Sequence, residues 1–259
     1  MPALPFPPHI LPFHRLNDGS RRPLLLLCDH ASPLVPPDLN GLGLTEAERL
    51  RHIGWDPGAA ALTAALAQRL DAPALLAGVS RLVIDCNRPP GHATSICAES
   101  DGTVIPGNRD LSAAARRLRA ERWYDPYHQA IAAELARLEA DGAAAALVAV
   151  HSFTPCLKGG APRPWPVGVL WNQDGRLALP LIRALRGQGL ACGDNEPYSG
   201  RLANHTLDRH GQAAGRLHVS LELRQSDLEG TAAIAAWADR LAALLDILLA
   251  EAGLADCAE

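Results

Sequence analysis

Three apolar runs in this chain each lead into a polar side chain capable of chemistry. Leu24-Leu25-Leu26-Leu27-Cys28 stops at Asp29-His30, Ala146-Leu147-Val148-Ala149-Val150 stops at His151-Ser152, and Leu217-His218-Val219-Ser220-Leu221-Glu222-Leu223-Arg224 carries Glu222. An apolar run of roughly four to six residues that ends at a histidine reads as a buried strand delivering an imidazole to a sheet edge. Ligands of open α/β sheets bind at the strand ends. Two imidazoles and a carboxylate brought there by different strands suit a metal site with a general base beside it.

The rest of the chain supplies the helices that such a sheet needs. Thr45 is placed to cap a short helix that opens at Glu46, and Asp56-Pro57-Gly58 reads as the start of another, over 57–70, with Asp56 at the cap. Leu75-Leu76-Ala77 and Arg81-Leu82-Val83-Ile84-Asp85 read as a strand pair or one interrupted strand. Leu111 to Asp141 reads as mostly helical with a break before Pro126. Val167 to Trp171 reads as a strand, Leu177 to Arg186 as a helix, and Thr231 to Gly253 as a long amphipathic helix covering the sheet. Strands alternating with helices predict a mostly parallel sheet with helices on both faces. At 259 residues the chain is expected to form a single domain. Its expected flanks are a Pro-rich segment over 1–20 and the covering helix within 226–255.

Charge and composition exclude several function classes. A net charge of −4 leaves no basic footprint for nucleic acid. The apolar stretch over 232–249 is interrupted by Asp239, Arg240 and Asp246, so no membrane span is expected. Met1 to Pro12 lacks the pattern of a signal peptide, and a cytoplasmic location is the expectation. Six scattered cysteines without paired C-x-x-C spacing suit neither a disulfide framework nor a cysteine zinc site. No G-x-S-x-G surrounds Ser152, and no Gly-rich phosphate loop is present.

Catalytic zinc usually takes three protein ligands and keeps a fourth position for water. His30 and His151 need a third partner, and Asp56, Asp29 and His52 all qualify from the sequence. Asp29 could instead orient an imidazole from behind. A Glu222 partly buried in a pocket would have a raised pKa, and a metal-bound water would give it a proton to take. Arg81 and Arg88 flank Leu82-Val83-Ile84-Asp85-Cys86-Asn87. The arginine fork is suited to a substrate carboxylate, although either could pair with Asp85 instead.

The ordered blocks resemble the N-formylglutamate amidohydrolase family. They are Leu27-Cys28-Asp29-His30-Ala31-Ser32, Gly54-Trp55-Asp56-Pro57-Gly58-Ala59, Ser80-Arg81-Leu82-Val83-Ile84-Asp85-Cys86-Asn87-Arg88, Tyr124-Asp125-Pro126-Tyr127-His128, His151-Ser152-Phe153, Asn195-Glu196-Pro197-Tyr198-Ser199-Gly200 and Leu221-Glu222-Leu223-Arg224. The family commonly has a Pro-His-small-Gly run where this chain has Asp29-His30-Ala31-Ser32, and the later blocks look like those of a divergent branch. The resemblance implies a three-layer α/β/α sandwich like that of zinc exopeptidases (phosphorylase/hydrolase-like). It also implies metal-assisted hydrolysis of a linear amide in an N-formyl or other N-acyl amino acid, N-formylglutamate first, with zinc as the expected metal. On that resemblance His30, His151 and Asp56 would hold the metal and Glu222 would be the general base. Arg81, Asn87, Arg88, Ser152, Asn195, Tyr198 and Arg224 would form the substrate-binding set. The rival expectations are a metal-free binding protein for an acidic small molecule, and an amidase acting on another amide.

Overall fold

A computed structural model describes residues 4–5, 10–142 and 144–254. Expectations that fall on 1–3, 6–9, 143 and 255–259, Cys257 among them, lie outside the described residues. In chain order the elements are β1 (Phe13–Leu16), β2 (Leu24–Cys28), α1 (Glu46–Arg49), α2 (Ala59–Arg69), β3 (Ala74–Ala77), β4 (Glu99–Ser100), β5 (Thr103–Val104), α3 (Ala113–Arg119), α4 (Asp125–Leu138), β6 (Ala146–Phe153), β7 (Val167–Leu170), α5 (Ala178–Gly187), β8 (Cys192–Asp194), α6 (His205–His210), β9 (His218–Arg224) and α7 (Thr231–Glu251).

Seven strands form one sheet in the order β1-β3-β2-β6-β9-β7-β8. The central strands β3, β2, β6 and β9 run parallel, β1 pairs antiparallel with β3, β7 pairs antiparallel with β9, and β8 runs parallel to β7. Strand alternation divides the apolar side chains between two cores. Leu24, Leu26, Val148, Val150, Val219 and Leu221 pack under α2, α5 and α7. Leu25, Leu27, Leu147 and Ala149 pack under α4, with Leu207 of α6 in the same cluster. Both faces are buried, which is why β2 and β6 read as unbroken apolar runs rather than alternating ones. The layers are helix, mostly parallel sheet, helix, as expected.

The run Leu82-Val83-Ile84 is not a strand. Only Ala74–Ala77 pairs in the sheet, and 81–83 forms a turn. These side chains are fully buried in a third apolar cluster with Ile53, Ile96 and Ile105, beside the sheet. Asn108 holds the Leu82 and Cys97 carbonyls, and Arg119 holds the Val83 carbonyl. Burial therefore explains the apolar run, and side-chain donors replace the missing ladder.

The helix after Asp56 starts later than expected. It begins at Ala59, with Gly58 in a left-handed conformation (φ 85°) at its cap and no side-chain capping bond. A Cβ on Gly58 would stand 2.7 Å from Leu228 Cβ, a second reason for glycine there. Asp56 contributes its backbone carbonyl to Ala59 N–H, so its carboxylate is free to point elsewhere. The break before Pro126 is a π-helical turn at Ala120–Tyr124 joining α3 to α4.

Candidate active site

The two imidazoles and Glu222 meet at the carboxyl ends of the central parallel strands. His30 lies just beyond β2, and His151 sits near the end of β6 directly opposite Glu222 of β9. That register puts the two side chains on one face of the sheet. Asp56 arrives from the segment before α2, and its backbone N–H bonds the His30 carbonyl at 2.9 Å.

Three donor atoms from His30, Asp56 and His151 all lie within 4.8 Å of one another, and all three residues are buried. Asp56 Oδ2 stands 3.3 Å from His30 Nδ1 and 3.0 Å from His151 Nδ1. The opposite ring nitrogens are each backed by another carboxylate. His30 Nε2 is 2.8 Å from Asp85 Oδ1, and His151 Nε2 is 3.3 Å from Asp29 Oδ2. A carboxylate behind an imidazole fixes the proton on the far nitrogen and turns the near lone pair toward a metal. Two nitrogens and one carboxylate oxygen, oriented in this way, fit a catalytic zinc set that leaves one position open.

Asp29 is itself held from behind. Its Oδ1 accepts from Tyr127 Oη at 3.0 Å and from Thr206 Oγ1 at 2.9 Å, which leaves Oδ2 facing His151. Thr206 lies in the first turn of α6, whose backbone also bonds Asn87: Thr206 N–H donates to Asn87 Oδ1 at 3.0 Å. Neither Tyr127 nor Thr206 was expected at the site. Tyr127 lay in a recognisable block, but nothing local marks Thr206.

Electrostatics separate the carboxylates. Burial would raise the pKa of Asp56, but His30 and His151 outweigh it and hold the group well below the ordinary carboxylate range. Burial also works to raise the pKa of Asp85, and Arg81 and His30 reverse that. Glu222 goes the other way. It is 7 % exposed and its Oε2 has no hydrogen-bond partner among the described residues. Burial pushes its pKa up to about 7 against the pull of His151, with Asp56 adding to the rise. Carboxylates with opposite shifts at one site suit different roles, ligand and base.

The site opens into a cavity of about 410 Å³. Arg81, Asn87, Arg88, Ser152 and Tyr198 line it, as does His52. Arg81 is committed to Asp85, through Nε at 3.1 Å and Nη2 at 2.6 Å. Ser152 donates to the Pro57 carbonyl at 2.7 Å. His52 Nε2 stands 3.4 Å from Asp101, away from the three converging donors. Asn195 and Arg224 do not line the cavity. Asn195 Oδ1 accepts from the backbone N–H groups of Trp171 and Gly200, and Arg224 is paired with Asp227 at 2.7 Å.

This constellation lies inside a recognised sequence family. Residues 22–228 match the family model described as N-formylglutamate amidohydrolase. The chain belongs to the N-formylglutamate amidohydrolase family. N-formylglutamate deformylase of Pseudomonas aeruginosa is 32 % identical over 225 residues, covering 79 % of this chain and 81 % of that protein. N-formylglutamate deformylase of Pseudomonas putida is 29 % identical over 235 residues, with 84 % of each chain covered. A crystal structure of a gene product from Agrobacterium tumefaciens superposes with a TM-score of 0.90 at 33 % identity, covering 93 % of this chain and 96 % of that one. The N-formylglutamate amidohydrolase of Ralstonia eutropha shares the fold, with a TM-score of 0.73 at 24 % identity over 94 % of this chain and 100 % of that one.

Proposed function

We propose that this protein is a metal-dependent amidohydrolase that cleaves the amide of an N-formyl or other short N-acyl amino acid, releasing the acyl group as its acid. The observation that carries the reading is the convergence of His30, Asp56 and His151 beside a buried Glu222 whose Oε2 has no hydrogen-bond partner among the described residues. Family membership supports the reaction class, and the substrate named for the Pseudomonas relatives, N-formylglutamate, is the first compound to test.

His30, Asp56 and His151 would hold the metal, and zinc suits their nitrogen and oxygen donors. When bound, such an ion polarises a carbonyl and makes a nearby water more acidic. The residues of the chain do the rest. Asp85 and Asp29 keep the ring protons on Nε2, so both Nδ1 lone pairs point at the site. Glu222, facing the cavity from β9, takes a proton from the attacking water. It then delivers that proton to the amide nitrogen as the C–N bond breaks, so the amine leaves neutral. Its Oε2 has no hydrogen-bond partner among the described residues, which leaves it free for both steps. Arg88, on the cavity wall beside Asn87, receives the substrate carboxylate.

The test is a screen of N-formyl and N-acetyl amino acids against protein supplied with zinc, cobalt or manganese, reading the free amine. Metal-dependent release is the expected result. Full turnover in protein stripped by a chelator would overturn metal dependence. Metal binding without turnover of any compound would point to a binding protein.

A further inference from the structure

A second cavity, of about 680 Å³, lies beside the catalytic one, and its chemistry is the opposite. Trp55, Pro57, Ala60, Leu228 and Ile234 give it an apolar lining, and Glu229 is the single charged residue on it. The catalytic cavity is lined by imidazoles, carboxylates and arginines. The chain passes between the two at two places. Asp56 faces the catalytic side while Trp55 and Pro57 face the apolar side, and Thr154 and Pro155 divide in the same way. Among the described residues, Gln225 alone lines both.

Hydrogen bonds hold Gln225 at that boundary. It follows the last residue of β9 and opens a 3₁₀ turn over Gln225–Leu228. The ion pair from Arg224 to Asp227, at 2.7 Å, spans the start of this turn. Gln225 Nε2 donates to the Ser152 carbonyl and to Ser152 Oγ, both at 3.3 Å. Ser152 Oγ has one proton, which it gives to the Pro57 carbonyl at 2.7 Å, so toward Gln225 it can only accept. Ser152 N–H donates to Asp56 Oδ2 at 3.3 Å. The Gln225 amide is thereby tied to the chain beside His151 and Asp56, two of the three converging donors.

On the amidohydrolase reading above, we propose that Gln225 limits the length of the acyl group: its side chain is the wall that confines the acyl portion of the substrate to the catalytic cavity and shuts off an apolar cavity able to take an alkyl chain. A formyl group needs no room beyond that wall. A longer chain has to displace the Gln225 amide and strip it of its Ser152 acceptors, which costs binding. With the wall shortened, the same chain enters a space whose lining is already apolar. Each methylene buried there then gains about fourfold in affinity.

The test compares N-formylglutamate with N-hexanoylglutamate on zinc-loaded parent, Gln225→Ala and Gln225→Met proteins. The amino acid is the same in both compounds, so only the acyl group varies. The parent should prefer the formyl compound in kcat/KM by about 100-fold or more. Gln225→Ala should raise the hexanoyl-to-formyl ratio by roughly 10²-fold, as expected when several methylenes become buried. Gln225→Met keeps the length of the side chain and should keep the parent preference. A ratio unchanged in Gln225→Ala, or raised equally in Gln225→Met, overturns the proposal. Entry of the chain is also read without turnover. Trp55 lines the apolar cavity. A hexanoyl chain brominated at its end should therefore quench Trp55 fluorescence in Gln225→Ala and not in the parent, and adding Trp55→Phe should remove the quenching. If the parent hydrolyses neither compound, the amidohydrolase reading fails separately. The quenching then decides whether Gln225 is the wall, and equal quenching in parent and Gln225→Ala shows that it is not.

Discussion

His30 Nε2 lies 2.8 Å from Asp85 Oδ1, on the opposite side of the ring from Asp56. Asp85 also holds Arg81, and its Oδ1 accepts the Asn87 backbone N–H at 2.8 Å. One buried carboxylate thus sets the tautomer of His30, restrains an arginine and fixes the turn that leads to Arg88. On the proposed function, metal affinity, charge pairing and substrate contact would all pass through this residue.

Replacing Asp85 by Asn keeps an acceptor for the Nε2 proton but removes the charge that makes the ring more basic. Zinc affinity should weaken by roughly tenfold, at the low end of what partners behind a ligand usually contribute. Competition with a chromophoric chelator measures it. An unchanged zinc Kd would separate Asp85 from the metal site.

Glu222→Gln preserves size and polarity but cannot accept a proton as a base. Turnover at saturating metal should fall by roughly 10²–10⁴-fold while bound zinc stays at the parent level. Near-parent kcat would remove Glu222 from the proton-transfer steps.

A second histidine cluster, on the α4 side of the sheet, makes stability depend on pH. His128 Nε2 is 2.9 Å from the Cys86 carbonyl, so that nitrogen carries the proton, and Nδ1 accepts from His210 Nε2 at 2.8 Å. Burial is the main cause that pushes the His128 pKa down to about 3 and that of His210 down to about 4, from the ordinary 6.5. A depressed folded pKa means that the unfolded chain binds the proton first as pH falls. The contribution is full above pH 6.5 and is lost as the pH drops through that value toward the folded pKa. His128 alone should add a slope of up to about 1.4 kcal/mol per pH unit in that window. Urea unfolding of metal-free protein at several pH values, parent against His128→Gln, isolates this term because the other titrating groups are common to both. Identical pH slopes would show that His128 does not resist protonation.

The legible part of this molecule was what the sheet imposes. Apolar runs buried on both faces announced β2 and β6, and the polar residues at their ends announced His30 and His151. Glu222 was legible because its apolar flanks place it on an interior strand. The same signal failed at Leu82-Val83-Ile84, where burial in a cluster beside the sheet imitates a strand. It left Asp56 open between two readings, since a helix-capping carboxylate and a site carboxylate look alike in sequence; the structure gives the cap to Gly58, with no side-chain capping bond, and sets Asp56 Oδ2 between the two imidazoles. Thr206 was beyond reach altogether. It meets Asp29 across 177 residues, and only the packing of α6 against the site brings them together.

Arg88 provides the remaining test, through geometry rather than charge. Asn87, beside it, is fixed by the Thr206 N–H on one side and by Asp85 on the other, so the chain at Arg88 starts from a rigid turn. A guanidinium presented from a fixed base can meet both oxygens of a carboxylate in parallel, whereas an ammonium meets them as a point charge. Arg88→Lys should therefore lower kcat/KM by roughly 10–100-fold, the range for charged hydrogen bonds. It should also shrink the advantage of the α-carboxylate over its amide, with the zinc content unchanged. The equivalent change at Arg81 should act differently, because it disturbs Asp85 and hence His30. Its loss should appear in the zinc Kd and should leave the preference for the α-carboxylate intact. If the two variants show the same pattern, the division of labour between the two arginines is wrong.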